Sequence, residues 1–249
     1  MDKKECIMKI AEDLLAIGVK PGGALMVHSS FKSLGPVPGG IETVIEGLKL
    51  ALGPQGTLLM PGLCWEAVSG EQPVYNVRTT PTCVGAIPEY FRRMEGTLRS
   101  LHPTHSVCGQ GALAAELFEG HIKDTTPCGR NSPFARLKDY GGQVLMLGCG
   151  MLCNTSIHAV EEAAGAPYLF LPDPVKYTIV DCDGKETKVL HRRHANFPQN
   201  FDRVRPQLLG HGLAEGNVLQ ANCYLYDSRA LWDCALDMLK KDISCFIKE

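Results

Sequence analysis

Several things that this sequence lacks narrow what it can do. No apolar run approaches the ~20 residues that a bilayer-spanning helix needs, so no membrane span is expected. Neither sign of charge dominates. Lys and Arg total 25 against 27 Asp and Glu, a net charge of -2, which gives no broad basic footprint for nucleic acid. Low-complexity tracts, internal repeats and heptad seams are absent, so neither a disordered segment nor a coiled coil is expected, and a monomer or a homodimer both fit. The 11 cysteines have no regular spacing and an odd count, which argues against a disulfide framework. Single thiols inside apolar segments such as LMLGCG point to the reducing cytoplasm. The opening stretch MDKKECIMKIAEDLLAIG mixes acidic with apolar residues and does not read as a secretory leader.

What is present is a chain of 249 residues, 45% hydrophobic, in which short apolar runs alternate with amphipathic segments. The runs at 24–29, 57–63 and 143–148 are nearly continuously apolar, as buried strands are. Helical periodicity covers roughly 4–17, 40–52, 84–94, 111–120, 132–139, 155–164, 198–211 and 228–240. The segment 175–192 reads as a hairpin turning at Asp183-Gly184, and VLQANCYLYD as a strand before the last helix. This alternation predicts an α/β fold: one domain over 1–249, with a sheet covered by helices on both faces and made mixed by the hairpin.

Three clusters carry groups capable of chemistry. In HSSFKSLGPVPGG, 28–40, a buried strand runs into a Ser-, Gly- and Pro-rich loop that opens a helix. Free N–H groups at a glycine-opened helix start suit a phosphate, and Ser29, Ser30, Lys32 and Ser33 add hydroxyls and one cation. The loop is neither GxGxxG nor a Walker loop, and an ordinary connection is the competing reading. The second cluster, RSLHPTHSVCGQGALAAEL, holds His102 and His105, an HxxH pair echoed by His191 and His194. A zinc site needs three or four converging ligands, and neither these pairs nor the CxxxC of Cys149 and Cys153 has a second half at metal spacing. No metal is expected. In the third, NTSIHAVEEAAG, His158 and Glu161 share a helix face at i, i+3, so the carboxylate can fix one ring nitrogen and leave the other as a base. Asn154, Thr155 and Ser156 add small donors suited to a developing oxyanion. The competing reading is a packed structural histidine. Glu162 is expected to point elsewhere and be solvated.

Taken in order, HSSFKSLGPVPGG, HPTHSVCGQGALAAEL, TPCGRNSPFARL and NTSIHAVEEA resemble the aminoglycoside N3-acetyltransferase family, with a weaker likeness in YLYDSRALWDCAL. The resemblance implies an antibiotic acetyltransferase-like α/β domain using acetyl-coenzyme A as cosubstrate. Ser30, Phe31, Lys32, Ser33 and Leu34 match the loop that contacts the coenzyme, and Ser106 a position beside its pantetheine. SPFARL matches a segment near the cofactor. His158 matches the general base, Glu161 its acidic partner, and Thr155 a hydroxyl close to the thioester carbonyl. The implied reaction is direct acetyl transfer to the 3-amino group of a 2-deoxystreptamine aminoglycoside, without an acetyl-enzyme.

Three alternatives stand beside it. Cys153, five residues before His158, offers a covalent route, which Cys153→Ala would abolish. A binding-only protein would keep coenzyme affinity but not need the His158–Glu161 pair. A family member acting on another amine would suit the near-neutral charge and the basic run HRRHANF, 191–197, if that run lies near the acceptor rather than at a solvated strand end. Glu66, Asp124 and Asp173 are the acidic candidates for holding a polycation.

Overall fold

The computed structural model describes residues 1–248, and among them the chain forms ten strands and eight α-helices. Helix α1 (Lys3–Ile17) leads to β1 (Ala24–Ser29), α2 (Gly40–Leu52) and β2 (Thr57–Pro61). Then come β3 (Val74–Asn76), α3 (Ala86–Arg93), β4 (Leu98–Arg99), β5 (Val107–Gly111), α4 (Ala114–Phe118), α5 (Pro133–Arg136) and β6 (Gln143–Leu147). The chain continues through α6 (Ser156–Ala164), β7 (Val175–Val180), β8 (Glu186–His191), α7 (Arg205–Leu208), β9 (Leu213–Val218), β10 (Ala221–Asp227) and α8 (Ser228–Lys241).

Seven strands make the main sheet, in the order β4-β5-β2-β1-β6-β10-β9. The central β2, β1 and β6 are parallel, and each flanking strand runs antiparallel to its inner neighbour. The sheet is therefore mixed, but not for the reason anticipated. The hairpin β7–β8 joins β3 in a separate three-stranded sheet, and its turn is the loop 181–185, in which Asp181 accepts from the N–H groups of Asp183 and Lys185, each at 2.9 Å.

Because side chains alternate across a strand, β1 feeds two cores. Leu25 and Val27 pack with Ile10 and Leu14 of α1 and Val44 and Leu48 of α2. Ala24 and Met26 pack with Ile157 and Val160 of α6 and Leu231 and Ala235 of α8. Both faces are covered, which explains why β1, β2 and β6 read as unbroken apolar runs. The periodicity at 198–211 overshoots: a one-turn 3-10 helix at Phe201–Val204 and the single turn of α7 stand there, with Pro206 tolerated at a helix start. The strand expected before the last helix is the second half of a hairpin, β9 and β10.

Candidate active site

Strand order reverses at β1: β2 lies on one side of it and β6 on the other. Open parallel sheets leave a crevice at such a point, outside the carboxyl ends of the strands. A cavity of about 530 Å³ occupies that position here. His28 and Ser29 from the end of β1, Pro61 from β2, and Leu152, Cys153, Thr155 and His158 from the segment after β6 line it. Trp65, His105 and Gln199 close its sides.

Helix α6 starts beside this cavity because buried Asn154 holds its first turn, its Oδ1 accepting from the N–H of Ser156 at 3.0 Å. Thr155 occupies the cap position, yet its hydroxyl makes no bond to the helix and is left to the cavity. One helical turn places His158 over Glu161, with 2.7 Å between Nδ1 and Oε2. Glu161 is fully buried and also accepts from the Tyr168 hydroxyl at 2.8 Å. A His158 that donates its Nδ1 proton to this carboxylate keeps the lone pair of Nε2. The Gln199 amide nitrogen lies 3.2 Å from that Nε2.

The second glutamate on this helix is not solvated as expected. Glu162 accepts from the backbone N–H of Cys128 at 2.7 Å, and its Oε1 lies 2.8 Å from Nε2 of His194. The reason is tertiary: this side of α6 faces the 125–130 loop and the segment after β8. Burial pushes the Glu162 carboxyl up to about 7 and His194 down to about 2, the latter helped by nearby His158. For both groups desolvation outweighs mutual attraction, so burial holds each toward its neutral form across the 2.8 Å contact.

The two HxxH pairs do meet in space. His102 lies 4.7 Å from His191 between ring centroids, His105 lies 5.4 Å from His194, and His194 lies 4.7 Å from His158. His102 uses both nitrogens locally: Nδ1 accepts from the N–H groups of Thr104 and His105, and Nε2 faces the Thr126 carbonyl at 3.1 Å. Burial holds His102 and His105 well below the ordinary histidine range.

Of the residues singled out in the sequence, Thr155, His158 and Glu161 come together. Ser30 and Ser33 lie just beyond Ser29 with their hydroxyls 2.9 Å apart, and the Ser33 hydroxyl lies 2.8 Å from the Gly148 carbonyl. Phe31 packs on the core, Lys32 is exposed and Leu34 is buried. Ser106 is fully buried under β2, donating to the Gly62 carbonyl at 2.7 Å and accepting from Arg99 Nε at 2.9 Å. SPFARL forms α5, which Ser132 caps through its bond to the N–H of Phe134. Among the acidic candidates, Asp124 is spent on Asn131, Asp173 is exposed, and Glu66 sits beside Cys83 near the cavity rim. Sequence reasoning missed Tyr168, Gln199 and Trp65. None of them falls in a motif, and each reaches the site through a loop rather than a periodic element.

Comparison with known proteins shows the family and the fold. The family model described as aminoglycoside 3-N-acetyltransferase matches residues 26–240. Aminoglycoside N(3)-acetyltransferase IV of Salmonella sp. is 35% identical over 237 residues, spanning 94% of this chain and 87% of that protein. A histidine-to-alanine mutant of aminoglycoside acetyltransferase AAC(3)-IVa, in complex with a gentamicin, superposes with a TM-score of 0.85 at 32% identity, covering 100% of this chain and 92% of that one. AAC-IIIb, in a binary complex with CoASH, gives a TM-score of 0.82 at 25% identity over 97% of each chain. With a cavity at the strand-order reversal and a histidine–carboxylate pair in its wall, this chain belongs to the aminoglycoside 3-N-acetyltransferase family of acyltransferases.

Proposed function

We propose that this protein, as a single catalytic domain over 1–249, transfers the acetyl group of acetyl-coenzyme A to the 3-amino group of a 2-deoxystreptamine aminoglycoside. The observation that carries the reading is the 2.7 Å contact between His158 Nδ1 and Glu161, which leaves Nε2 basic at the cavity wall. An alkylamine is protonated near neutrality and cannot attack a thioester until a proton leaves. An imidazole with an ordinary pKa near 6.5 is suited to take it. As the nitrogen attacks the thioester carbonyl, negative charge grows on its oxygen, and Thr155 at the start of α6 is the donor in reach of that space. His158 then returns the proton to the departing thiolate, so the transfer needs no acetyl-enzyme. Ser30 to Leu34 and Ser106 are assigned to the coenzyme, with Lys32 as the cation for its phosphates. AAC-IIIb, which shares the fold, is known with CoASH, which supports this cosubstrate. All 11 cysteines are free, which supports a reducing cytoplasmic location.

A second reading keeps the reaction and changes the acceptor. No Asp or Glu is among the described residues that line the cavity, whereas Gln199 and His105 are. The basic run reaches the site through His194. Such a wall favours a less cationic amine over a polycation. One experiment tests both readings: thiol release from acetyl-coenzyme A with aminoglycosides and with neutral and anionic amines, for the wild type and His158→Ala. Release with aminoglycosides, reduced about 10²–10⁴-fold in the variant, supports the first reading. Release only with other amines supports the second. Full activity in His158→Ala removes the general-base role.

A further inference from the structure

Three histidines line the cavity at the strand-order reversal: His28, His105 and His158. Two of them are engaged. His158 has Glu161 at Nδ1 and Gln199 at Nε2, and His105 Nδ1 faces the Thr104 hydroxyl at 2.9 Å. His28 is different. It is only 5% exposed, and among the described residues its Nε2 is buried without a hydrogen-bond partner. Buried polar nitrogens almost always have one, so an orphan in a cavity wall points to a group that arrives with the ligand. The strand determines which way His28 faces. Met26, two residues earlier on the same face of β1, packs with Ile157 and Val160 of α6. His28 therefore stands on the side from which Thr155 and His158, at the start of α6, enter the cavity. Burial pushes its imidazole down to about 3, so the ring is neutral, a donor and no base for the amine.

We propose that His28 is a second catalytic histidine, whose neutral Nε2–H donates a hydrogen bond to the carbonyl oxygen of the bound acetyl thioester. The inference rests on the acetyl-coenzyme A reading above. A nitrogen that carries a proton and lacks a partner needs an acceptor. The ammonium of the acceptor substrate brings donors, whereas the thioester brings a carbonyl. As the amine nitrogen bonds to the carbonyl carbon, the C=O π pair moves onto oxygen. That oxygen can accept more than one hydrogen bond, one from Thr155 and one from His28. When the C–S bond breaks, the pair returns to the carbonyl and the sulfur leaves as a thiolate, which takes the proton held by His158. His28 keeps its own proton throughout. Two histidines thus divide the chemistry by environment, the buried one polarising the carbonyl and the carboxylate-paired one moving the proton.

The test follows the thioester carbonyl itself. The full chain is mixed with acetyl-coenzyme A isotope-labelled at the carbonyl carbon, without an amine, and the bound carbonyl stretch is read by infrared difference spectroscopy. In His28→Leu the band should lie at higher frequency than in the wild type, because one donor is gone. His28→Gln keeps an N–H at similar reach and should hold the band near its wild-type position. With an amine present, kcat should fall about 10²–10³-fold in His28→Leu and recover in part in His28→Gln, with the KM for acetyl-coenzyme A and the limbs of the pH profile unmoved. A band at the same frequency in wild type and His28→Leu would overturn the proposal. A second measurement needs no variant to fold: in wild type carrying isotope-labelled histidine, the His28 Nε2–H resonance should move with acetyl-coenzyme A and not with coenzyme A. Equal responses to the two would overturn the proposal. Failure of the wild type to bind acetyl-coenzyme A would overturn the cosubstrate reading and the proposal together. A carbonyl band that responds to His28 in a protein that acetylates no aminoglycoside supports the proposal and costs only the acceptor assignment.

Discussion

His194 and Glu162 meet at 2.8 Å, and the His194 ring lies 4.7 Å from that of His158, so the His158–Glu161 pair has a second histidine–carboxylate pair behind it. Burial raises the Glu162 carboxyl from an ordinary value to about 7, so its contribution to stability is full below about 4.5 and is lost as pH rises through 7. Thermal unfolding should accordingly show Glu162→Gln gaining on the wild type between pH 5 and pH 8.

Removing the carboxylate of the dyad tests orientation rather than charge alone. Glu161→Gln can present an amide N–H to His158 Nδ1, which turns the ring to the wrong tautomer. We expect kcat to fall by roughly 10²–10⁴ with the coenzyme Kd unchanged. Tyr168→Phe removes one of two donors from a buried carboxylate and should cost about 1–3 kcal/mol of stability, measured by urea denaturation.

The buried histidines predict acid lability. Burial holds His28 and His121 at about 3, His191 at about 4 and His194 at about 2. Each stays neutral in the fold and takes a proton on unfolding below about 6.5, so stability is present above that pH and drains as pH falls. Each contributes about 1.4 kcal/mol per pH unit over that window. Among the described residues neither ring nitrogen of buried His191 has a partner, so His191→Phe should flatten the pH dependence of unfolding between pH 6.5 and 4.

Two substitutions separate contact from support in the assigned coenzyme site. Lys32→Ala removes an exposed cation and should raise the KM for acetyl-coenzyme A about threefold to tenfold, with kcat unchanged and a shallower salt dependence. Ser106→Ala leaves the Gly62 carbonyl and Arg99 short of a partner in a buried place. Urea denaturation should show a loss of about 1–3 kcal/mol. A coenzyme Kd that stays constant in this variant would assign Ser106 to support rather than to contact.

Much of this protein is local and therefore legible in its sequence. Apolar alternation determined β1, β2 and β6, because strands buried on both faces admit few polar residues. Helical spacing determined that His158 and Glu161 share a face, because 3.6 residues make a turn wherever the helix lies. What the sequence could not contain is which other segments arrive at that face. Glu162 and Glu161 are adjacent carboxylates on one exposed-looking helix, yet the 125–130 loop and His194 bury one of them and Tyr168 satisfies the other. The β7–β8 hairpin is a local unit and was readable. Its separation from the main sheet depends on pairing with β3, about a hundred residues earlier in the chain. The meeting of the two HxxH pairs is likewise tertiary: nothing in their spacing brings His102 to His191, and only the packing of the β8 end against the 100–105 loop does so.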